Sequence, residues 1–114
     1  MSKQKAFTNP QLPLTPPIFY ILLSLAVKER HGYDIMKRVR EDSKGKVNLG
    51  PGTLYGAIKR MVEAKLIIST DSSHAERRKY YRLTEKGKSI FLNELERYND
   101  AVELAKRRSL LSYV

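Results

Sequence analysis

Cysteine is absent from the 114 residues. Disulfides and thiol chemistry are therefore excluded, and the composition suits a reducing compartment such as the cytoplasm. Histidine occurs only as His31 and His74, so there is no Cys/His cluster and no H-E-x-x-H motif to hold a metal. A Gly-rich phosphate loop is missing as well, and nothing in the pattern proposes a nucleophile–base pair. Long apolar runs are missing too: the most apolar stretch, Ile18 to Val27, is too short to span a bilayer. It follows a Pro-rich segment and lacks a clear cleavage site, so it is not read as a signal peptide despite Lys3 and Lys5. There is no internal repeat. The expectation is a protein that is not an enzyme and needs no metal or cofactor.

What the chain does have is positive charge. Lys and Arg number 22 against 12 Asp and Glu, a formal net charge of +10, and the pI is near 9.9. Such a chain suits a polyanionic partner. Charge alone does not choose between DNA, RNA and an anionic membrane. The length fits one domain with a small core, for which sharing a core with a second copy would help.

The chain is organised around Gly50 to Leu66, read as a recognition helix. Pro51 has its φ preset for a first helical position and lacks only an N–H that would be orphaned there. Gly50 then stands at the N-cap, a permitted but weak cap residue. Leu54, Ala57, Ile58, Met61 and Val62 fall on one face at helical spacing. Thr53, Gly56, Lys59, Arg60 and Glu63 fall on the other, with Tyr55 at its edge. Gly52 leaves the first-turn amides unshielded, so a phosphate can approach them. Taken alone, the helix reads equally well as an amphipathic core helix with a solvated face.

Its sequel changes that balance. Ile67 to Thr70 is a short β-branched run, Asp71 to Arg78 a polar and basic tip, and Lys79 to Thr84 a second strand. Two strands around a basic tip make a wing. A helix pair with a wing is the winged helix-turn-helix, whose second helix sits in the major groove.

Three blocks then resemble one family. Gly50-Pro51-Gly52-Thr53-Leu54-Tyr55-Gly56-Ala57-Ile58-Lys59-Arg60-Met61 is similar to the recognition-helix signature of the PadR family of transcriptional regulators. His31-Gly32-Tyr33-Asp34-Ile35 and the run from Arg77 to Gly87 match its flanking blocks. The resemblance covers roughly Thr15 to Ala105. It implies a dimeric winged-helix repressor, often one that responds to phenolic acids, drugs or other small molecules. One C-terminal helix resembles the short subfamily. Gly50 departs from the serine cap of many relatives, which removes side-chain capping and a hydroxyl contact to phosphate.

The rest of the chain fits around this centre. Residues 1–14, polar, basic and broken by Pro10 and Pro13, are expected to form a mobile arm. Thr15-Pro16-Pro17 starts a helix that runs from Ile18 to about Glu29, apolar nearly all round and so buried on more than one side. Tyr33 to about Glu41 forms the second helix, with Ile35, Met36 and Val39 inward and Lys37, Arg38 and Arg40 elsewhere. His31 reads as a structural turn histidine, and Val47-Asn48-Leu49 as the short first strand. Tyr81 reads as core and Tyr80 as partly exposed.

From a Thr84 cap the last helix runs to about Leu111. Phe91, Leu95, Tyr98, Val102 and Ala105 repeat along it at coiled-coil-like spacing. Packing on the first helix of the same chain is one use of that seam. Dimerisation, with Ile18 and Leu22 of the first helix, is the other.

The resulting expectation is mainly α with a small β-wing. It has an arm at 1–14, a winged helix-turn-helix at 15–84 and a dimerisation helix at 85–114. The expected partners are double-stranded operator DNA and a second copy of the chain. Thr53, Gly56, Lys59 and Arg60 would face the groove. Gly52, Tyr55, Arg77, Arg78 and Lys79 would anchor phosphates. By resemblance, a small aromatic effector would enter a pore at the dimer interface beside Tyr98, closed by Ile18 and Leu22. An RNA-binding winged helix and a protein-interaction module remain the alternatives.

Overall fold

The computed structural model describes residues 12–70 and 78–111. Among them the order of elements is α1 (Pro16–Val27), β1 (Arg30–His31), α2 (Gly32–Asp42), α3 (Pro51–Glu63), β2 (Ile67–Thr70), β3 (Tyr80–Leu83) and α4 (Glu85–Arg107). The sheet is antiparallel in the order β1-β3-β2. This is the expected helical fold with a wing made of β2 and β3.

The core lies where the three short helices and the sheet meet. Ile21, Leu22 and Leu25 of α1, Ile35 and Val39 of α2, and Leu54, Ala57, Ile58 and Met61 of α3 are all buried. Burying each large aliphatic side chain is worth about 1.5–3 kcal/mol, so the inward face of α3 is held by several such contributions. In the sheet Ile67 and Tyr81 face this core, while Tyr80 is half-buried. The alternation expected for β3 is therefore present.

α3 starts at Pro51 after Gly50, which makes no side-chain cap bond. It ends in a Schellman motif: the Leu66 N–H donates to the Met61 carbonyl and the Lys65 N–H to the Val62 carbonyl, both at 2.9 Å. Lys65 takes the left-handed conformation, with φ of 64°. The chain then enters β2, crosses the wing and returns along β3. Thr84 caps α4 by accepting from the Gly87 N–H at 3.0 Å.

Several expectations are corrected. The first strand is Arg30–His31, paired with Tyr81 and Tyr80, not Val47-Asn48-Leu49. Val47 instead exchanges both backbone groups with the Ser43 hydroxyl, at 2.9 and 3.2 Å, leaving nothing for a ladder. The first helix stops at Val27 because Arg30 turns back, its Nε donating to the Ser24 carbonyl at 2.8 Å and its Nη1 pairing with Asp34 at 3.0 Å. Val62 is 38 % exposed and does not join the inward face of α3.

Leu14, placed in the arm, is a core residue, 5 % exposed. Its N–H donates to the buried Glu94 carboxylate at 2.6 Å, and the other carboxylate oxygen accepts from Arg97. Residues 1–11 of the arm lie outside the described residues.

The two uses of the α4 seam divide along its length. Phe91 packs on Phe19 of α1, ring centroids 5.4 Å apart, and is buried, as is Leu22. Those two residues belong to the protomer's own core and offer nothing to a partner. Beyond Glu94 no described residue reaches full burial. Leu95, Tyr98 and Val102 are 38–39 % exposed, Ala105 is half-buried, and Ile18 of α1 is half-buried.

At Gly87 an added Cβ would meet the Leu66 carbonyl oxygen at 2.0 Å, and that oxygen is backbone held in place. Ordinarily Gly→Ala within a helix gains up to about 1 kcal/mol. Here overpacking should dominate, and Gly87→Ala is expected to lose about 2–3 kcal/mol in urea unfolding. A neutral or stabilising result would mean that the junction yields freely.

Candidate functional site

Helical periodicity gathers Gly52, Thr53, Gly56, Lys59 and Arg60 on the face of α3 opposite Leu54, Ala57, Ile58 and Met61. Gly52, Thr53, Lys59 and Arg60 are exposed and Gly56 is half-buried. A Cβ at Gly56 would lie 3.8 Å from the Arg60 guanidinium, so the arginine folds back one helical turn along this face. Space around Gly52 is open, with nothing within 4 Å of an added Cβ. The first-turn amides of α3 are thus accessible, and the helix dipole adds partial positive charge there.

Tyr55 leaves this face at its edge and crosses to α2. A Cβ on Gly32 would meet its hydroxyl at 2.2 Å, so only glycine lets the tyrosine lie flat over the start of α2. Near it is Tyr81, whose phenol is pushed up from its ordinary value by burial and, secondarily, by Tyr55. Both rings border a cleft of about 500 Å³ that also takes in His31, Tyr33, Arg78 and Lys79. The start of α2, the recognition helix and the root of the wing therefore share one basic concavity.

The expected phosphate anchors Tyr55, Arg78 and Lys79 all reach this cleft, while Gly52 lies at the start of α3 outside it. Arg77 and His74 lie outside the described residues. Arg38 is engaged by Glu41 and Asp42 at 3.2 and 3.3 Å, which turns it toward its own helix. Two cleft residues were not foreseen as binding groups. Tyr33 is exposed beside the cleft. His31 caps α2 by accepting from the Asp34 N–H at 3.2 Å and lies 3.0 Å from Arg78. Asp34, an acid three residues after His31, was the visible sign of a helix start here.

The sequence model of the PadR-like family of transcriptional regulators matches residues 21–93. This span runs from α1 through the wing into α4. The chain belongs to the PadR-like family. Its members are transcriptional regulators rather than enzymes. Among solved structures the chain is similar to a PadR family transcription regulator of Clostridium difficile. The two share 31 % identity over 82 % of this chain and 97 % of that one, with a TM-score of 0.69. An uncharacterised protein of Lysinibacillus sphaericus is 32 % identical over 77 residues, 66 % of this chain and 70 % of that one. The fold is also shared with Bacillus subtilis PadR in complex with operator DNA: TM-score 0.61, 24 % identity, 68 % of this chain and 45 % of that one.

In this PadR-like chain Gly52 has room for a side chain, yet a methyl there would shield the first-turn amides. Gly52→Ala should stabilise the free protein by roughly 0.5–1 kcal/mol in thermal unfolding. The same change should weaken binding to duplex DNA in a gel shift. Stabilisation with undiminished binding would remove the start of α3 from the interface.

Proposed function

We propose that the protein is a cytoplasmic repressor that binds a pseudo-palindromic operator as a homodimer. The observation that carries this reading is the exposed polar face of α3, flanked by the basic cleft at the wing root. Thr53, Gly56, Lys59 and Arg60 read base edges in the major groove. Gly52, Tyr55, Arg77, Arg78 and Lys79 hold phosphates, which fix register without specifying sequence. The operator complex of the Bacillus subtilis relative supports DNA over RNA as the partner.

The second copy is expected on the outer half of α4. Leu95, Tyr98, Val102 and Ala105 form a stripe there that stays partly open among the described residues, and Ile18 of α1 is likewise only half-buried. Paired copies would place two recognition helices on half-sites one helical turn apart, roughly 34–36 Å. Tyr98 also packs against Phe19, ring centroids 5.1 Å apart, so the stripe offers an aromatic surface. A small planar aromatic effector held there would release operator only by favouring a dimer of altered spacing.

Lys59→Ala should reduce preference for operator over random duplex by about 1–3 kcal/mol in competition binding, the worth of a good base contact. An equal loss on both duplexes would make Lys59 a phosphate ligand. No shift of any duplex by the wild type would refute the reading itself.

Leu95→Asp should put an unpaired charge in the subunit interface, and sedimentation should then show monomers. A folded, DNA-competent dimer carrying that change would place the interface elsewhere. Planar aromatic dyes titrated into the operator complex test the effector: release lost in Tyr98→Ala supports the stripe as its site, and the same release from both proteins excludes it.

A further inference from the structure

Gly32 is the first residue of α2 and is buried. Its φ lies outside the left-handed region, so conformation does not call for glycine there. Glycine is also a poor helix former. Space is the reason. An added Cβ would meet three atoms of one side chain: the Cε1 of Tyr55 at 2.9 Å, its Cζ at 2.6 Å and its hydroxyl oxygen closer still. The far end of the tyrosine ring therefore rests on the bare backbone of α2.

That seat decides where the hydroxyl goes. Tyr55 belongs to α3, and it reaches the wing-root cleft together with Tyr81 of β3, Arg78 and Lys79. The Tyr81 phenol, raised by burial and then by Tyr55, reports the two hydroxyls as neighbours. Tyr55 is 47 % exposed, so an unseated ring has water to turn into. Gly32 differs from Gly87 in this respect. A Cβ at Gly87 strikes a fixed carbonyl, whereas one at Gly32 strikes the movable end of a side chain. Filling Gly32 thus moves Tyr55 and leaves the fold in place.

We propose that Gly32 is a positioning residue for DNA binding: its missing side chain holds the Tyr55 hydroxyl in the wing-root cleft, where it donates to a backbone phosphate. This rests on the reading of Tyr55 as a phosphate ligand and adds a buried residue of another helix that acts only through it. The start of α2 then sets the reach of a group carried by the recognition helix.

Salt separates this role from a structural one. A phenol is neutral and displaces no counterion, so losing its bond lowers affinity without altering the log–log slope against salt. A disturbed wing root would instead loosen Arg78 or Lys79 and flatten the slope by about 0.9 for each phosphate lost.

The experiment is a cycle of variants read on random-sequence duplex DNA. Tyr55→Phe removes the hydroxyl alone, and affinity should fall about tenfold, as for a lost hydrogen bond to a charged group. Gly32→Ala should give the same loss, with the salt slope and thermal unfolding both near the wild type. The double variant should lose no more than either single one, because both changes remove one bond. Losses that multiply in the double variant overturn the proposal, as does undiminished affinity in either single variant. A flattened slope in Gly32→Ala overturns it too, by making the wing cations the groups that moved. If Gly32→Ala destabilises the protein, the Tyr55→Leu background decides, since leucine lacks the three contacted atoms. Destabilisation that vanishes there supports the seat, and destabilisation that persists overturns it. A wild type that binds no duplex sinks the seat together with the function it rests on, whereas a wild type that binds and a Gly32→Ala variant that binds equally well sink the seat alone.

Discussion

The recognition helix and the C-terminal helix meet at three successive carbonyls, with that of Leu66 at the centre of the junction. The Leu66 carbonyl accepts the Thr84 N–H at 3.0 Å, and the preceding carbonyl, of Lys65, accepts the Thr84 hydroxyl at 2.6 Å. Lys86 adds an ammonium bond to the Ala64 carbonyl at 3.0 Å. The carbonyls just past the end of α3 are thus met by groups from the start of α4, which satisfies acceptors at one end and orients the other. Gly87 allows the approach, since any side chain there would strike Leu66. The cationic Lys86 at a helix C-terminus is also favourable to the α3 dipole. The angle between the reading helix and the outer helix is fixed here, because backbone on backbone has little room to slide.

Buried polar groups fix the remaining angles in the same manner. Arg30, almost wholly buried, joins the end of α1 through Ser24 to the start of α2 through Asp34. Glu94, equally buried, joins the chain entering α1 at Leu14 to the middle of α4. A buried charge without partners is costly, and breaking either set would leave one. The exposed pairs Arg38–Glu41 and Lys106–Glu103 differ: water screens them, and each is worth at most about 1 kcal/mol. The two buried residues therefore specify how α1, α2 and α4 sit together, while the surface pairs decorate single helices.

Much of this arrangement was legible in the sequence, and the exceptions share physical causes. The start of α3, the strand limits of β2 and the Thr84 cap followed from proline, β-branching and capping chemistry, all local signals. Helix ends were harder. α2, α3 and α4 each close with a residue in the left-handed conformation, and these are Lys44, Lys65 and Ser109. Glycine normally marks that position, so α3 was read through to Leu66 and α4 to Leu111. β1 was missed because two residues carry no periodicity, and its pairing is fixed by Arg30, whose partners are tertiary. Leu22 and Phe91 were read as interface because an apolar stripe does not say whether its cover comes from the same chain. At the site, α3's outer face was visible from spacing alone. The cleft was not, since it joins His31, Tyr55 and Arg78 from three elements.

The same geometry limits how regulation can work. Between Ala64 and Gly87 the recognition helix has no free joint to α4, so neither can reorient alone without breaking the Leu66 contacts. If two copies pair through the outer half of α4, a change in the crossing of the two α4 helices is passed to both recognition helices as a rigid rotation. α4 is 23 residues long, about 35 Å at 1.5 Å per residue, and its outer half carries no buried side chain to resist a shift. In such a dimer the compliant part would be the subunit contact, and the stiff part the winged domain. A ligand acting at Leu95, Tyr98 and Val102 needs to change only packing between the helices, for which discrete alternative arrangements exist. A ligand acting inside the winged domain would have to disturb Arg30, Glu94 or the Leu66 junction, at the energetic cost of exposing a buried charge or an unmet carbonyl. Differential binding free energy is limited, so effectors should be sought at the outer half of α4 and not in the core.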